Sequence, residues 1–109
     1  MTGKVLGKID FAEYGTYPDR PFLMGLQLVF TFQGCGIGDG AKYTINMSKE
    51  CKWDSKEKRQ ESITRYADNL YEILKQAKVN FVSQLKNIPV EITLEDNMFK
   101  DFRILTEVL

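Results

Sequence analysis

Histidine is absent from all 109 residues. The chain therefore lacks the commonest general base, the Ser/His and Cys/His nucleophile pairs, and the most frequent zinc ligand. Cysteine is almost as scarce: Cys35 and Cys51 stand sixteen apart with no Cys-x-x-Cys, a spacing that argues against a structural zinc site. Two such residues in a chain without a secretion signal read as free thiols of a reducing compartment, with a Cys35–Cys51 disulfide as the open alternative. No apolar run approaches the roughly 18–20 residues of a membrane helix. The opening MTGKVLGKIDF lacks the apolar core of a signal peptide. The expectation is a cytoplasmic protein with no membrane segment, no metal and no cofactor.

Net charge is missing as well. Fifteen basic and fifteen acidic side chains cancel, so no overall field draws the chain to nucleic acid. The balance is local, however: Lys52, Lys56, Lys58, Arg59 and Arg65 outnumber Asp54, Glu57 and Glu61 over 52–65, whereas residues 86–109 are net acidic. The basic excess falls at the start of a predicted helix, where backbone N–H groups also favour anions. Mixed charges on a helix equally describe a solvated face with i,i+4 pairs.

What the chain does have is a strong strand signal. In Phe22–Gln33 the residues Phe22, Met24, Leu26, Leu28, Phe30 and Phe32 share one parity, while Gly25, Gln27, Thr31 and Gln33 fall on the other. This is the period-2 pattern of a half-buried strand, and it reads as the centre of a sheet. Val5, Gly7, Ile9 and Phe11 alternate with Lys4, Lys8 and Asp10 in a preceding strand over 4–12. Tyr17-Pro18-Asp19-Arg20-Pro21 supplies the turn between the two, which implies a long antiparallel hairpin. Lys42–Asn46 reads as a third strand.

Gly34, Gly36, Gly38 and Gly40 lie between them at alternate positions. Such a segment leaves backbone N–H groups uncovered and offers a cradle for a phosphate or a flat polar group, or it is only a glycine-rich connection. It matches neither a dinucleotide fingerprint nor a P-loop.

Trp53-Asp54-Ser55-Lys56-Glu57 predicts a helix start with Asp54 as N-cap and Glu57 as its capping-box partner. Ile63, Tyr66, Ala67, Leu70, Ile73, Leu74 and Ala77 recur at spacings of three and four, an apolar stripe that packs on a sheet. Residues 80–86 suggest one further helical turn. Val90, Ile92 and Leu94 mark a fourth strand and residues 99–108 a fifth. Placing Phe102 and Ile104 on the face of Ile92 and Val90 requires paired numbers with an even sum, which favours a three-residue loop at 95–97 with Asn97 left-handed. Arg103 then lies on the opposite face. The expectation is one α+β domain over 1–109, an antiparallel sheet of about five strands in the order β-β-β-α-β-β with one long amphipathic helix packed on it.

Three segments carry a resemblance: the Gly-x-Gly-x-Gly of Gly34–Gly38, the Cys-Lys-Trp and charged helix entry over Cys51–Arg59, and the ending LKNIPVEITLEDNMFKDFRILTEVL from Leu85. Together they resemble a group of small tailed-phage and prophage proteins, most specifically in the last 25 residues. The group in turn looks similar to the Thoeris anti-defence family of phage nucleotide sponges, small oligomeric α+β proteins that sequester cyclic ADP-ribose-type signals without cleaving them. Ile37 replaces a Trp of the pattern, Lys58 an Arg and Asn87 a Gly.

The resemblance implies a phage-encoded, non-enzymatic anti-defence protein of the host cytoplasm. It would act as a homo-oligomer that holds a small anionic nucleotide, with no catalytic residues. In this reading Gly36, Gly38, Lys58, Arg59 and Arg103 meet phosphates, and Trp53 or Tyr43 stacks on a base or ribose. Trp53 and Arg103 are the side chains that carry over by motif. The alternatives are an inhibitor that binds a host defence protein directly and a single-stranded nucleic-acid binder.

Overall fold

The computed structural model describes residues 1–48 and 55–109. Its organising element is β1 (Gly3–Thr16), a strand of 14 residues that pairs antiparallel with two neighbours in succession. Along its first half β1 pairs with β5 (Pro89–Glu95), and from Lys8 onward with β2 (Leu23–Phe32). β6 (Met98–Ile104) continues the sheet beyond β5. On the far side β2 carries two short strands on one edge, β3 (Cys35–Gly38) against its second half and β4 (Tyr43–Asn46) against its first. The sheet has six strands in the order β3-β2-β1-β5-β6, with β4 joined to β2. One helix, α1 (Lys56–Ala77), follows β4. The architecture is α+β, as the alternating patterns and the single apolar stripe predict.

The sheet is strongly curled. β2 and β6 are three strand spacings apart, roughly 14 Å on a flat sheet. Yet the Phe30 ring lies 5.3 Å from Phe99 and 4.8 Å from Phe102, and Tyr43 meets Phe102 edge-on at 5.8 Å. The result is a half-closed barrel. Its inner face holds Ile9, Leu26, Leu28, Phe30, Val90, Ile92, Leu94 and Ile104, all buried. Gly7 permits a close approach: a methyl group there would stand 2.4 Å from the Thr31 carbonyl oxygen, so only glycine lets β1 pass under β2 at this point.

α1 closes the core with its C-terminal half, where Ile73 and Ala77 are buried beside Leu85 of a short 3₁₀ turn, Val82–Leu85. Ala67, further up the expected stripe, is exposed. The helix is capped by Ser55, whose Oγ accepts from the Lys58 N–H at 3.1 Å. Asp54, the expected cap, lies outside the described residues, as do Trp53 and Cys51. Lys78 takes the left-handed conformation at the helix end, and its N–H reaches the Leu74 and Lys75 carbonyls.

Four local expectations change. The first strand, expected over 4–12, runs on through Tyr14 and Gly15, which both pair with β2. Pairing shifts between Ile9/Phe30 and Phe11/Val29, so Asp10 is an extra residue that turns Phe11 to the outer face and Ala12 inward. The loop between β5 and β6 is the two-residue Asp96-Asn97 turn, both residues left-handed at φ 53° and 66°. The even-sum register of Ile92 with Phe102 and of Val90 with Ile104 is nevertheless present, restored by a bulge at Lys100. β6 stops at Ile104, and the last strand expected through Val108 gives way to a 3₁₀ turn, Thr106–Val108.

Candidate functional site

Among the described residues no helix lies over the outer face of the curled sheet. Where β2 faces β3, its outward residues are Val29 and Thr31, opposed by Gly38 and Gly36. The glycine segment is thus a strand and its turn. Gln33 and Gly34 form a two-residue hairpin with φ of 50° and 78°. Beyond Gly38 the chain leaves the ladder, with Gly40 and Ala41 left-handed at 65° and 63°, before rejoining β2 as β4. A methyl group on Gly36 or Gly38 would meet nothing closer than 3.8 Å, so their bareness is not required by packing. It leaves a strip of uncovered backbone on the surface.

At the end of this strip lies a cleft of about 330 Å³ lined by Phe11, Tyr17, Arg20, Gln27, Val29 and the 38–41 segment. Each wall has a local cause. The Asp10 bulge rotates Phe11 outward, leaving it 39% exposed. Tyr17 and Arg20 sit in the Pro-flanked connection from β1 to β2. The Tyr17 N–H donates to the Leu23 carbonyl at 3.3 Å and the Leu23 N–H to the Arg20 carbonyl at 2.9 Å. The Arg20 guanidinium lies 5.1 Å from the centre of the Tyr17 ring, a cation–π arrangement. Burial, and then the nearby Asp39 carboxylate, push the Tyr17 hydroxyl above the usual phenol range.

Asp39 is the one buried charged residue among those described, 6% exposed. Its Oδ1 accepts from the Ala41 N–H at 3.1 Å, an Asx turn that fixes the bend. Oδ2 has no hydrogen-bond donor among the described residues. Burial raises the Asp39 carboxyl above its ordinary range, and the neighbouring backbone N–H groups and Lys42 only partly oppose this.

A second concavity of about 260 Å³ lies between β4 and the N-terminal half of α1, with Lys42, Tyr43, Asn46, Arg65, Tyr66 and Asn69 on its walls. The Tyr14 and Tyr66 hydroxyls hydrogen-bond to each other nearby. Lys42 is committed to Asp101 at 2.7 Å. Arg65 makes no ion pair among the described residues. Burial, then Asp101 and Asp39, raise the Tyr43 hydroxyl above the phenol range, so it remains a neutral donor.

The residues singled out from sequence do not share one site within the chain. Gly36 and Gly38 are on the outer face beside the first cleft, and Tyr43 points inward and lines the second. Lys58 and Arg59 are exposed on the first turns of α1, with Lys58 3.7 Å from Glu61. Arg103 is on the outer face of β6, held by Glu91 at 3.2 Å and Glu107 at 3.1 Å, so its fork is already occupied. Trp53 lies outside the described residues.

Phe11, Tyr17, Arg20, Asp39 and Arg65 escaped the sequence reading of the site. The Tyr-Pro-Asp-Arg-Pro turn and the acid enclosed by Gly38 and Gly40 were the available signals, whereas nothing in the sequence announces the bulge that exposes Phe11. Among the described residues no group of three His, Cys, Asp or Glu is placed to hold a metal ion, and no helix is long and apolar enough to cross a membrane. Compared with known proteins, the chain matches no family model, no curated protein and no solved structure.

Proposed function

We propose that the protein is a non-enzymatic binder of single-stranded nucleic acid, which it takes across the outer face of β2 and β3. The observation that carries this reading is the juxtaposition of Phe11, Tyr17 and Arg20 at the end of the bare Gly36–Gly38 strip. Aromatic rings offer stacking platforms to any base, Arg20 adds a planar cation, and uncovered glycine backbone admits a sugar-phosphate chain at close range. The surface is open along its length, which suits a polymer better than an enclosed small molecule. OB-type barrels, partly open and five-stranded, bind oligonucleotides and oligosaccharides across the outer face of their second and third strands and the adjoining loops. The likeness in architecture is an analogy at the level of fold and adds weight only together with the site.

The zero net charge limits the electrostatic share of affinity, so binding depends on stacking more than on phosphate contacts. Fluorescence anisotropy with a labelled single-stranded DNA, its duplex and the corresponding RNA tests the proposal. Single strands bind with a shallow salt slope of about two phosphates' worth or less, and duplex binds weakly. Equal affinity for duplex, or none for any strand, ends it.

The cleft between β4 and α1 favours a second reading, sequestration of a small anionic nucleotide in the phage anti-defence role that the resemblance implies. Arg65 makes no ion pair there among the described residues and stands beside amides and tyrosine hydroxyls. At about 260 Å³ the cleft falls below the usual range of small-molecule pockets, so a second copy of the chain would have to complete it. Calorimetry with cyclic nucleotides separates the two: heat with these and none with single strands selects sequestration.

A further inference from the structure

The outer face of β1 and β2 has another concavity, at the end away from the aromatic cleft. It measures about 420 Å³ and has Leu6, Lys8, Thr31, Gln33 and Gly34 on its walls. Its cause lies in the pairing. The β1–β2 ladder ends at Lys8 and Thr31. Before that point β1 pairs with β5 alone, while β2 runs on into the left-handed Gln33–Gly34 hairpin. The two clefts thus stand at opposite ends of one stretch of β2. Gln27 lines the first and Thr31 the second, roughly 14 Å apart along the strand, with the bare Gly36 and Gly38 alongside.

Charge distinguishes the two ends. Lys4, Lys8 and Arg103 project from the outer face, and Arg20 from the connection that edges it. Lys4 lies 3.7 Å from Glu91, Arg20 3.7 Å from Asp19, and Arg103 is held by both Glu91 and Glu107. Of these four cations Lys8 alone has no acidic partner among the described residues, and it is exposed. At the aromatic end Glu13 is paired opposite Gln27. That end suits a stacked base, whereas a phosphate is drawn to the unneutralised ammonium at the other.

We infer that a bound single strand runs lengthwise along β2, with a base on Phe11 and Tyr17 at one end and its phosphate backbone anchored by Lys8 at the other. The inference rests on the proposed binding of single strands at the outer face. The Thr31 hydroxyl and the Gln33 amide, on the same wall, are further donors to the phosphate. An ammonium is a point charge that reads no base, so Lys8 supplies affinity and position without sequence preference. The span also sets a length: at about 3.4 Å per stacked nucleotide, roughly 14 Å holds about four. A dinucleotide reaches only one end.

The test uses the intact chain, with anisotropy of labelled oligo-dT over a range of salt concentrations and of lengths from about two to about sixteen nucleotides. Lys8→Gln is expected to weaken binding of the longer strands about two- to fivefold at low salt, and to reduce the salt slope by about 0.7, one phosphate on a single strand. Affinity for the dinucleotide is unchanged, so the gain on lengthening the strand is smaller than in the parent. Lys8→Arg restores both the gain and the slope. Lys75→Gln, the same change of net charge placed on α1, leaves both as they were. A parental slope in Lys8→Gln, or an equal loss of slope in Lys75→Gln, overturns the inference and leaves the outer-face reading standing. So does an affinity of the parent that stops rising at two nucleotides. No binding of any strand by the parent overturns both.

Discussion

The Lys42 ammonium lies 2.7 Å from Asp101 Oδ1, joining the chain just before β4 to β6 at the other end of the strand order. This contact exists only because the sheet curls. It is mostly solvated, with the two side chains 39% and 59% exposed, so it closes the barrel with little energy of its own.

Asp101→Asn is therefore expected to lower stability by less than about 1 kcal/mol. Burial works to raise the Asp101 carboxyl, but the hydrogen bonds from Lys42 and the Phe102 N–H outweigh it and hold the group below the usual carboxylate range. A depressed folded-state pKa means that the contribution is present above the unfolded pKa and fades as pH falls through the folded one. Urea unfolding of both proteins across that acid range should show the difference shrinking to nothing. A pH-independent gap of several kcal/mol would contradict the assignment.

Asp39 behaves in the opposite sense. Its folded pKa is raised, so the folded state binds the extra proton and stability falls as pH rises from the ordinary carboxylate range through the raised value. Asp39→Asn keeps the Oδ1 contact to Ala41 and removes the buried charge. It should unfold at a higher temperature than the parent at neutral pH, with the two converging in acid. A variant less stable at neutral pH would mean that the charge has a stabilising partner.

Gly7→Ala tests the curl itself. With 2.4 Å between the new methyl group and the Thr31 backbone oxygen, the strands must separate, at a cost of about 1–3 kcal/mol. Thermal unfolding measures this, and an unchanged midpoint would show that the approach is not tight.

Gly38→Ala isolates binding from folding. The new methyl group meets only the Leu28 carbonyl oxygen, at 4.0 Å, and alanine is no worse than glycine in a strand. Stability should be unchanged or slightly improved, while affinity for single strands drops because the outer strip is no longer bare. Full retention of affinity would show that no ligand approaches the backbone there.

Phe11→Ala and Tyr17→Ala should each weaken single-strand binding by about 1–3 kcal/mol, the worth of one stacked base. Both side chains lie outside the buried cluster, so circular dichroism should show the fold intact. An unchanged dissociation constant in both variants would remove the stacking platform from the proposal.

The sequence by itself determined the α+β class, the β1–β2 hairpin, the helix and the inward faces of β2 and β5. Each is a local pattern: Leu26, Leu28 and Phe30 alternate at period two, Ile73 and Ala77 recur at helical spacing, and the Tyr17–Pro21 turn has its own chemistry. Tertiary structure alone decided the rest. Parity along β1 assigns Phe11 to the core, and one unpaired residue, Asp10, reverses it. The register of β5 with β6 was legible in Ile92 and Phe102, but not that a bulge at Lys100 would supply it in place of a longer loop. Curling brought Phe102 to Tyr43 and Asp101 to Lys42, and the tertiary fold buried Asp39 with no donor for Oδ2 among the described residues. Periodicity reports which side of its own strand a residue occupies. It carries no information on bulges, which cost one residue, or on closure, which depends on contacts between segments more than fifty residues apart in the chain.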